Sequence, residues 1–281
     1  MSRPELEGPP EYFYNDSEAK KYTQNGHIQL IQSQLSDRAL ELLCLPPNES
    51  CYLLDVGCGS GLSGLSITEK GHYWVGCDVS PSMLHVAHDN ECDGDIMLRD
   101  MGQGMPFRQG VFDGAISISA VQWLCYSNNK NEVPIKRLTC FFQSLYSCLK
   151  RGARAVLQLY PETPEQMELI TRCAVKCGFT GGAVVDYPNS TKAKKLYLVL
   201  FAGNDPSFSL PAGKLGEGEN DVIGVKYTAR DKALRKRKGG KDKAPIKSKE
   251  WIMKKKHVQR QQGKMVANDS KYSGRKRQRG F

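Results

Sequence analysis

Long apolar runs are missing from this chain of 281 residues. The longest apolar-leaning stretch, Ala115–Cys125, covers about eleven positions and includes two serines and a glutamine, well short of the ~20 residues that cross a bilayer. No membrane span is expected. The N-terminus, MSRPELEGPPEYFYNDSEAKK, is acidic and proline-rich and has no apolar stretch, so it is read as neither a secretory signal nor a transit peptide. The expectation is a soluble protein made in the cytosol. CxxC pairs are also absent: the ten cysteines are scattered singly among apolar residues, as reduced, buried thiols of an intracellular protein would be. Cys173 and Cys177 stand at helical spacing, but the two further ligands of a structural zinc site are lacking, and His72 and His257 are far off. No metal site is expected, and no internal repeat is seen.

What is present is enough for a core. Apolar residues make up 40% and charged residues 25% of the chain, near the globular average, and the length allows one full domain with a substantial appendage. The net charge of +10 is unevenly spread. Residues 204–281 hold 22 of the 40 Lys and Arg and only 8 of the 30 Asp and Glu, which makes this part +14 and leaves the preceding body at −4. An acidic body with a strongly basic tail points to polyanionic partners.

Residues 16–45 read as helical, with Ile28, Ile31, Leu35, Ala39, Leu42 and Leu43 at helical spacing and Pro46-Pro47 as the stop. Five strand candidates follow, Cys51–Val56, Tyr73–Asp78, Asp95–Asp100, Phe112–Ser119 and Arg154–Tyr160, alternating with helical stretches near 61–70, 81–91, 135–150 and 163–177. This alternation predicts an α/β, doubly wound, mostly parallel sheet. The last two candidates, Gly182–Tyr187 and Lys194–Ala202, are joined too closely for a crossover helix and should form a C-terminal antiparallel hairpin. Two helices are expected before the sheet. Three regions result: 1–49, an N-terminal helical lid; 50–203, the sheet domain; and 204–281, a basic tail, largely disordered, with clusters at 234–243, 253–256 and 274–279 and a short helix within 246–262 that bears Trp251, Ile252 and Val258.

The segment with most chemical content is LLDVGCGSGLSG (53–64), where the first strand turns into a helix. Such a turn needs positive φ and a bare backbone for a ligand to lie against, and Gly57, Gly59 and Gly61 supply both. Asp78, closing the second strand, is placed to accept hydrogen bonds from ribose hydroxyls. Gly59-x-Gly61-x-x-Gly64 formally matches a dinucleotide fingerprint, which leaves a dehydrogenase as an alternative. Counted from Gly57, however, the loop reads DxGxGxG, with Asp55 two positions ahead of the first glycine.

That loop, with Asp78 and with Asp100 closing the third strand, resembles the class I S-adenosylmethionine-dependent methyltransferases. The blocks FYNDSEAKKY (13–22), SDRALELLCLP (36–46), CYLLDVGCGSGLSG (51–64), GHYWVGCDVSPSML (71–84), GDIMLRDMGQGMPF (94–107), FDGAISISAVQWLC (112–125), RAVLQLYPET (154–163), VVDYPNSTKAKKLYLVLF (184–201) and YSGRKRQR (272–279) are similar to the eukaryotic methyltransferases that make N7-methylguanosine in small-subunit (18S) ribosomal RNA. One departure is His27, where that family's pattern suggests an arginine.

The resemblance implies S-adenosylmethionine as cofactor, with loop 55–61 around its methionine part, Asp78 on the ribose and Asp100-Met101 flanking the adenine. It implies work on 18S rRNA in a pre-40S particle, an activating heterodimer partner in the form of a small zinc-binding protein paired at a sheet edge, and residence in nucleus (nucleolus and nucleoplasm) and cytoplasm. Gln122 and Trp123 follow the fourth strand where this fold binds its acceptor, and Tyr160 ends the fifth. Gln122 is a candidate for a guanine edge and Trp123 for a stacking platform, although Trp123 also suits a core position. Tyr12, Phe13, Tyr14 and Tyr22 read either as a lid over the cofactor, with His27 at its hinge, or as plain packing of the N-terminal helices. For Asp55, Asp78 and Asp100 the alternative is an ordinary strand-end cap. Guanine N7 carries a free lone pair at neutral pH, so no general base is required. A ribosome-assembly scaffold and a small-molecule methyltransferase remain the competing functions.

Overall fold

A computed structural model describes residues 3–127, 132–190, 193–203 and 210–214, together with 249, 252–253, 256, 260 and 266–269 of the tail. Contacts divide the chain into two units, Met1–Ile223 and Gly224–Phe281. In the first unit the strands β1 (Tyr52–Val56), β2 (Tyr73–Asp78), β3 (Asp95–Leu98), β4 (Phe112–Ile118), β5 (Leu149–Leu159), β6 (Phe179–Asp186) and β7 (Lys195–Ala202) form one sheet in the order β3-β2-β1-β4-β5-β7-β6. The first five run parallel, and β7 lies antiparallel to both β5 and β6. This is the doubly wound sheet with a terminal hairpin that the strand spacing predicts.

Central strands are largely apolar because both faces are covered: Leu53, Leu54 and Val56 of β1 and Ala115 and Ile116 of β4 are fully buried. On one face α6 (Pro134–Cys148) and α7 (Pro164–Lys176) pack, α6 through Leu138, Phe141, Phe142 and Leu145 at one-face spacing. The other face carries α3 (Gly26–Leu43) through Leu35, Ala39, Leu42 and Leu43, and α4 (Leu62–Glu69) through Ile67. Helix starts follow from the sequence. Ser80 caps α5 (Pro81–Asp89) and Thr163 caps α7, each with proline at the first helical position. Gly64 of α4 is where helix and sheet come closest: a Cβ there would stand 2.1 Å from the Trp74 ring.

The two helices expected within 16–45 are α2 (Asp16–Gln24) and α3, which meet at Asn25, whose extended backbone frees its side chain to accept from the His27 and Ile28 amides. Three strand boundaries depart from the sequence reading. β3 stops at Leu98 because Asp100 caps the turn Met101–Gln103. β5 starts at Leu149, five residues early, since the exposed Lys150-Arg151-Gly152 step conceals a pairing with Phe112 that continues after a register shift. The hairpin strand β6 begins at Phe179 rather than Gly182.

The body also extends past residue 203. Residues 210–214 pack on β6, where the Tyr187 amide donates to Lys214 O (2.7 Å) and the Lys214 amide to Asp186 Oδ1 (2.7 Å). Arg38 of α3 ties this strap down with a buried ion pair to Asp186 (2.9 Å) and a bond to Ala212 O (3.0 Å). In the second unit Lys249, Ile252, Met253, Lys256 and Arg260 are helical, and Lys256 and Arg260 both pair with Asp269. Trp251, Val258 and the clusters at 234–243 and 274–279 lie outside the described residues.

Candidate functional site

At the C-terminal ends of β1, β2 and β4 the sheet opens into a cleft, the place where open α/β sheets hold their ligands. Its floor is the glycine loop. Gly57, Gly59 and Gly61 all have positive φ, as the loop geometry requires, and a Cβ at Gly57 would stand 2.3 Å from the Ala120 Cβ. The Gly57 and Cys58 amides donate to Cys77 O and clamp the loop to the end of β2.

Asp78 reaches across to this loop: its Oδ2 accepts from the Gly59 amide (2.9 Å) and its Oδ1 from the Ser80 amide (2.8 Å). Burial raises its pKa, and these backbone donors oppose the shift. Both oxygens keep spare lone pairs at the cleft wall. Asp55 lies under the loop, fully buried, accepting from Ser63 Oγ at 2.5 Å. Burial pushes its carboxyl up to about 7; Ser63 works against that shift and the charge of Asp78 adds to it. Asp55 Oδ1 and Ser60 Oγ are buried and have no protein partner. Orphaned polar atoms beneath a bare backbone cradle fit the polar methionine end of S-adenosylmethionine, and Asp78 fits its ribose.

Asp100 and Met101 line the next stretch of wall. The Asp100 carboxylate is engaged: Arg137 of α6 donates to both its oxygens (2.8 and 2.9 Å), and the Gly102 amide donates to Oδ1 (2.8 Å). Asp100 therefore shapes this end of the cleft through the turn it caps. Arg99 secures the same turn through Gly104 O (2.7 Å) and Gln103 O (2.9 Å). Sequence reasoning missed Arg99, Arg137 and Gln32, all of which line the cleft. Arg99 alone had a local signal, its place beside Asp100.

Over the opening lies the N-terminal segment. Pro10 of α1 (Pro10–Phe13), Tyr14 and Tyr22 line the cleft with Trp123. Tyr14 packs edge-on to Phe13 (4.9 Å) and Tyr22 (5.8 Å) and lies 6.1 Å from Trp123. Ser80 Oγ donates to Tyr14 O (2.8 Å), and Arg3 donates to Tyr160 O (2.8 Å), so both ends of the segment are fastened. Tyr12 is exposed and outside this cluster. His27 is exposed in the first turn of α3 and does not line the cleft.

Trp123 is 6% exposed and borders the cleft, so it is both a packed residue and a wall. Gln122 and Tyr160 are not among the lining residues. The Gln122 amide nitrogen is committed to Glu5 and to Ser119 O, and Tyr160 Oη accepts from Lys195 (2.9 Å). Of the three residues considered for the base, only Trp123 lines the cleft.

A model of a methyltransferase domain matches residues 54–157, and one described as a methyltransferase involved in Williams-Beuren syndrome matches 200–279. The mouse 18S rRNA (guanine-N(7))-methyltransferase is 57% identical over 279 residues, 99% of this chain and 98% of its own length. The chain belongs to the 18S rRNA (guanine-N7)-methyltransferase family. The Saccharomyces cerevisiae 18S rRNA (guanine(1575)-N(7))-methyltransferase, 49% identical, matches over the full length of both chains. In fold, this methyltransferase is similar to the solved Haemonchus contortus phosphoethanolamine N-methyltransferase 2 (TM-score 0.52, 17% identity, 68% of this chain and 58% of that one).

Proposed function

We propose that this chain transfers a methyl group from S-adenosylmethionine to N7 of a guanine in 18S rRNA during small-subunit biogenesis. The observation that carries the reading is full-length identity with named 18S rRNA (guanine-N7)-methyltransferases, joined to a cleft whose floor suits the cofactor. When bound, the cofactor supplies an electrophilic methyl on a sulfonium centre. The chain's own work is placement and shielding. Asp78 and the loop 57–61 fix the ribose and methionine ends, Asp100-Met101 bound the adenine end, and Tyr14, Tyr22 and Trp123 exclude water from the reacting atoms. Because N7 needs no deprotonation, alignment alone can account for a large part of the acceleration, with effective molarities of ~10⁵–10⁸ M as the ceiling. The target base leaves its stack to enter, and Trp123 offers it a ring.

The division of labour follows the chain: residues 1–49 as lid, 50–203 as catalytic body and 204–281 as an RNA-holding tail. Phosphate contacts from a +14 segment are sequence-independent and salt-sensitive, so the choice of guanine rests with the body and the particle. The basic clusters also support nuclear import alongside a cytoplasmic pool. A small zinc-binding activator adds its strand at β3. In support, β3 pairs with β2 alone among the described residues and leaves Leu98 59% exposed, whereas strap 210–214 lies on β6 at the other end of the sheet.

The test is transfer from labelled S-adenosylmethionine to small-subunit rRNA or particles, with the activator co-expressed and N7-methylguanine mapped by chain cleavage. One modified guanine is expected. Tight cofactor binding without transfer to either substrate would overturn the assignment.

A further inference from the structure

The body is acidic in sum, yet one stretch of rim beside the cleft is basic. The connection from β6 to β7, YPNSTKAKK (187–195), holds three lysines and no acid. β7 runs antiparallel to β5 with Leu196 beside Leu159, so Lys195 and Tyr160 come opposite each other at the end of β5, on the same edge of the sheet at which the cleft opens. Lys195 Nζ donates to Tyr160 Oη (2.9 Å) and stands 5.2 Å from the centre of the Tyr160 ring. Arg3, from the N-terminal segment, donates to the carbonyl oxygens of Tyr160 (2.8 Å) and Pro161 (3.4 Å).

Positive charge is left over here. Asp186, the register partner of Lys195, gives its carboxylate to Arg38 (2.9 and 3.2 Å) and to the Lys214 amide. Glu5 and Glu162, close in sequence to Arg3 and Tyr160, accept from Gln122 and from Tyr126. Among the described residues Arg3, Lys194 and Lys195 form no ion pair. Donors are left over as well. Lys195 spends one ammonium hydrogen on Tyr160 Oη, which keeps its own hydrogen to give, and Arg3 spends two of its five. Arg3, Tyr160 and Lys195 are half-buried rather than sealed, and Lys194 is exposed.

This cluster adjoins the cleft without entering it. Ser119, a cleft wall, donates its amide to Gln158 O (3.1 Å) and its hydroxyl to Gln158 Oε1 (2.5 Å), two residues before Tyr160. On Tyr22, another wall, burial raises the pKa and the nearby hydroxyls of Tyr14 and Tyr160 add to the shift. A base that enters a cleft leaves its sugar and phosphates at the rim. Accepting the guanine-N7 reading, we infer that Arg3, Tyr160 and Lys195 seat a backbone phosphate of the RNA strand that carries the target guanine. A phosphate is anionic and accepts without donating, the complement of unspent donors with unbalanced positive charge. Tyr160 holds the ammonium over its ring and adds its own O–H. Phosphate contacts of this kind fix register and orientation rather than sequence, so the basic tail holds RNA at large while this seat sets where the strand lies relative to the cofactor.

The experiment uses the full chain with its co-expressed activator and a fragment of 18S rRNA that spans the mapped guanine. RNA affinity is measured between about 50 and 200 mM salt, together with kcat and KM for transfer and affinity for S-adenosylhomocysteine. Lys195→Gln is expected to weaken RNA binding about 10-fold at the low-salt end and to make log affinity against log salt shallower by about 0.7, the value of one phosphate on a single strand. Its loss of transfer should fall on KM rather than kcat, with cofactor affinity unchanged. Lys195→Arg keeps the charge and is expected to keep the wild-type slope. A wild-type slope in Lys195→Gln overturns the inference, as does a Lys195→Arg slope as shallow as that of Lys195→Gln. If Lys195→Gln does not fold, Arg3→Gln carries the same expectation and the same refutation. Absence of transfer by the wild type would instead remove the guanine-N7 reading itself, while the salt slopes still report on the seat.

Discussion

The two halves of the cleft are built by different means. The cofactor half comes from neighbours in sequence: Asp55 to Gly61 form one turn, and Asp78 closes the adjacent strand and bonds straight back to Gly59. The opposite wall is gathered from distant segments, with Tyr14, Tyr22 and Trp123 arriving on separate elements and packing together.

Disabling each half in turn would test this contrast. The largest effect is expected for Asp78→Ala, which removes the ribose acceptor and frees the Gly59 and Ser80 amides it holds. Two charge-assisted bonds correspond to about 100-fold or more in cofactor affinity, measurable by calorimetry with S-adenosylhomocysteine, and transfer should fall in parallel. Trp123→Ala should separate the halves: transfer to rRNA drops about 10- to 100-fold, the value of one stacking platform, while cofactor affinity stays within about threefold. Equal losses of both in Trp123→Ala would mean that the cleft is one unit.

The smallest effect is expected at Asp55. Its carboxyl titrates at about 7 in the fold against an ordinary 3.8, so the folded chain binds this proton more tightly than the unfolded chain does. Its contribution to stability is therefore greatest at the acid end and declines as pH rises from about 4 through 7. Asp55→Asn should remove that decline, and the Tm of cofactor-free wild type should fall by a few degrees relative to Asp55→Asn between pH 5.5 and pH 8. A constant difference across that range would show that Asp55 is ionised throughout.

The same contrast explains what could be read from sequence. β2 was predicted residue for residue, and β1, β4 and β7 to within one, because strand spacing and turn residues are local. Gly57, Gly59 and Asp78 line one cleft for the same reason. The start of α3 is local in the same way, with Asn25 capping it just ahead of the first apolar position, Ile28. Arg137 carries no signal in its own neighbourhood: its bond to Asp100 spans 37 residues. The bond of Gln122 to Glu5 spans 117 residues, and nothing in VQWLC announces it.

The strap at 210–214 sets a limit on assembly. An open sheet has two ends at which a foreign strand can add, and a protein that accepts strands at both can propagate into a filament. Here the chain's own LPAGK lies on β6, fastened by Arg38 and Asp186. Among the described residues β3 is the end of the sheet that carries no such segment of the chain itself.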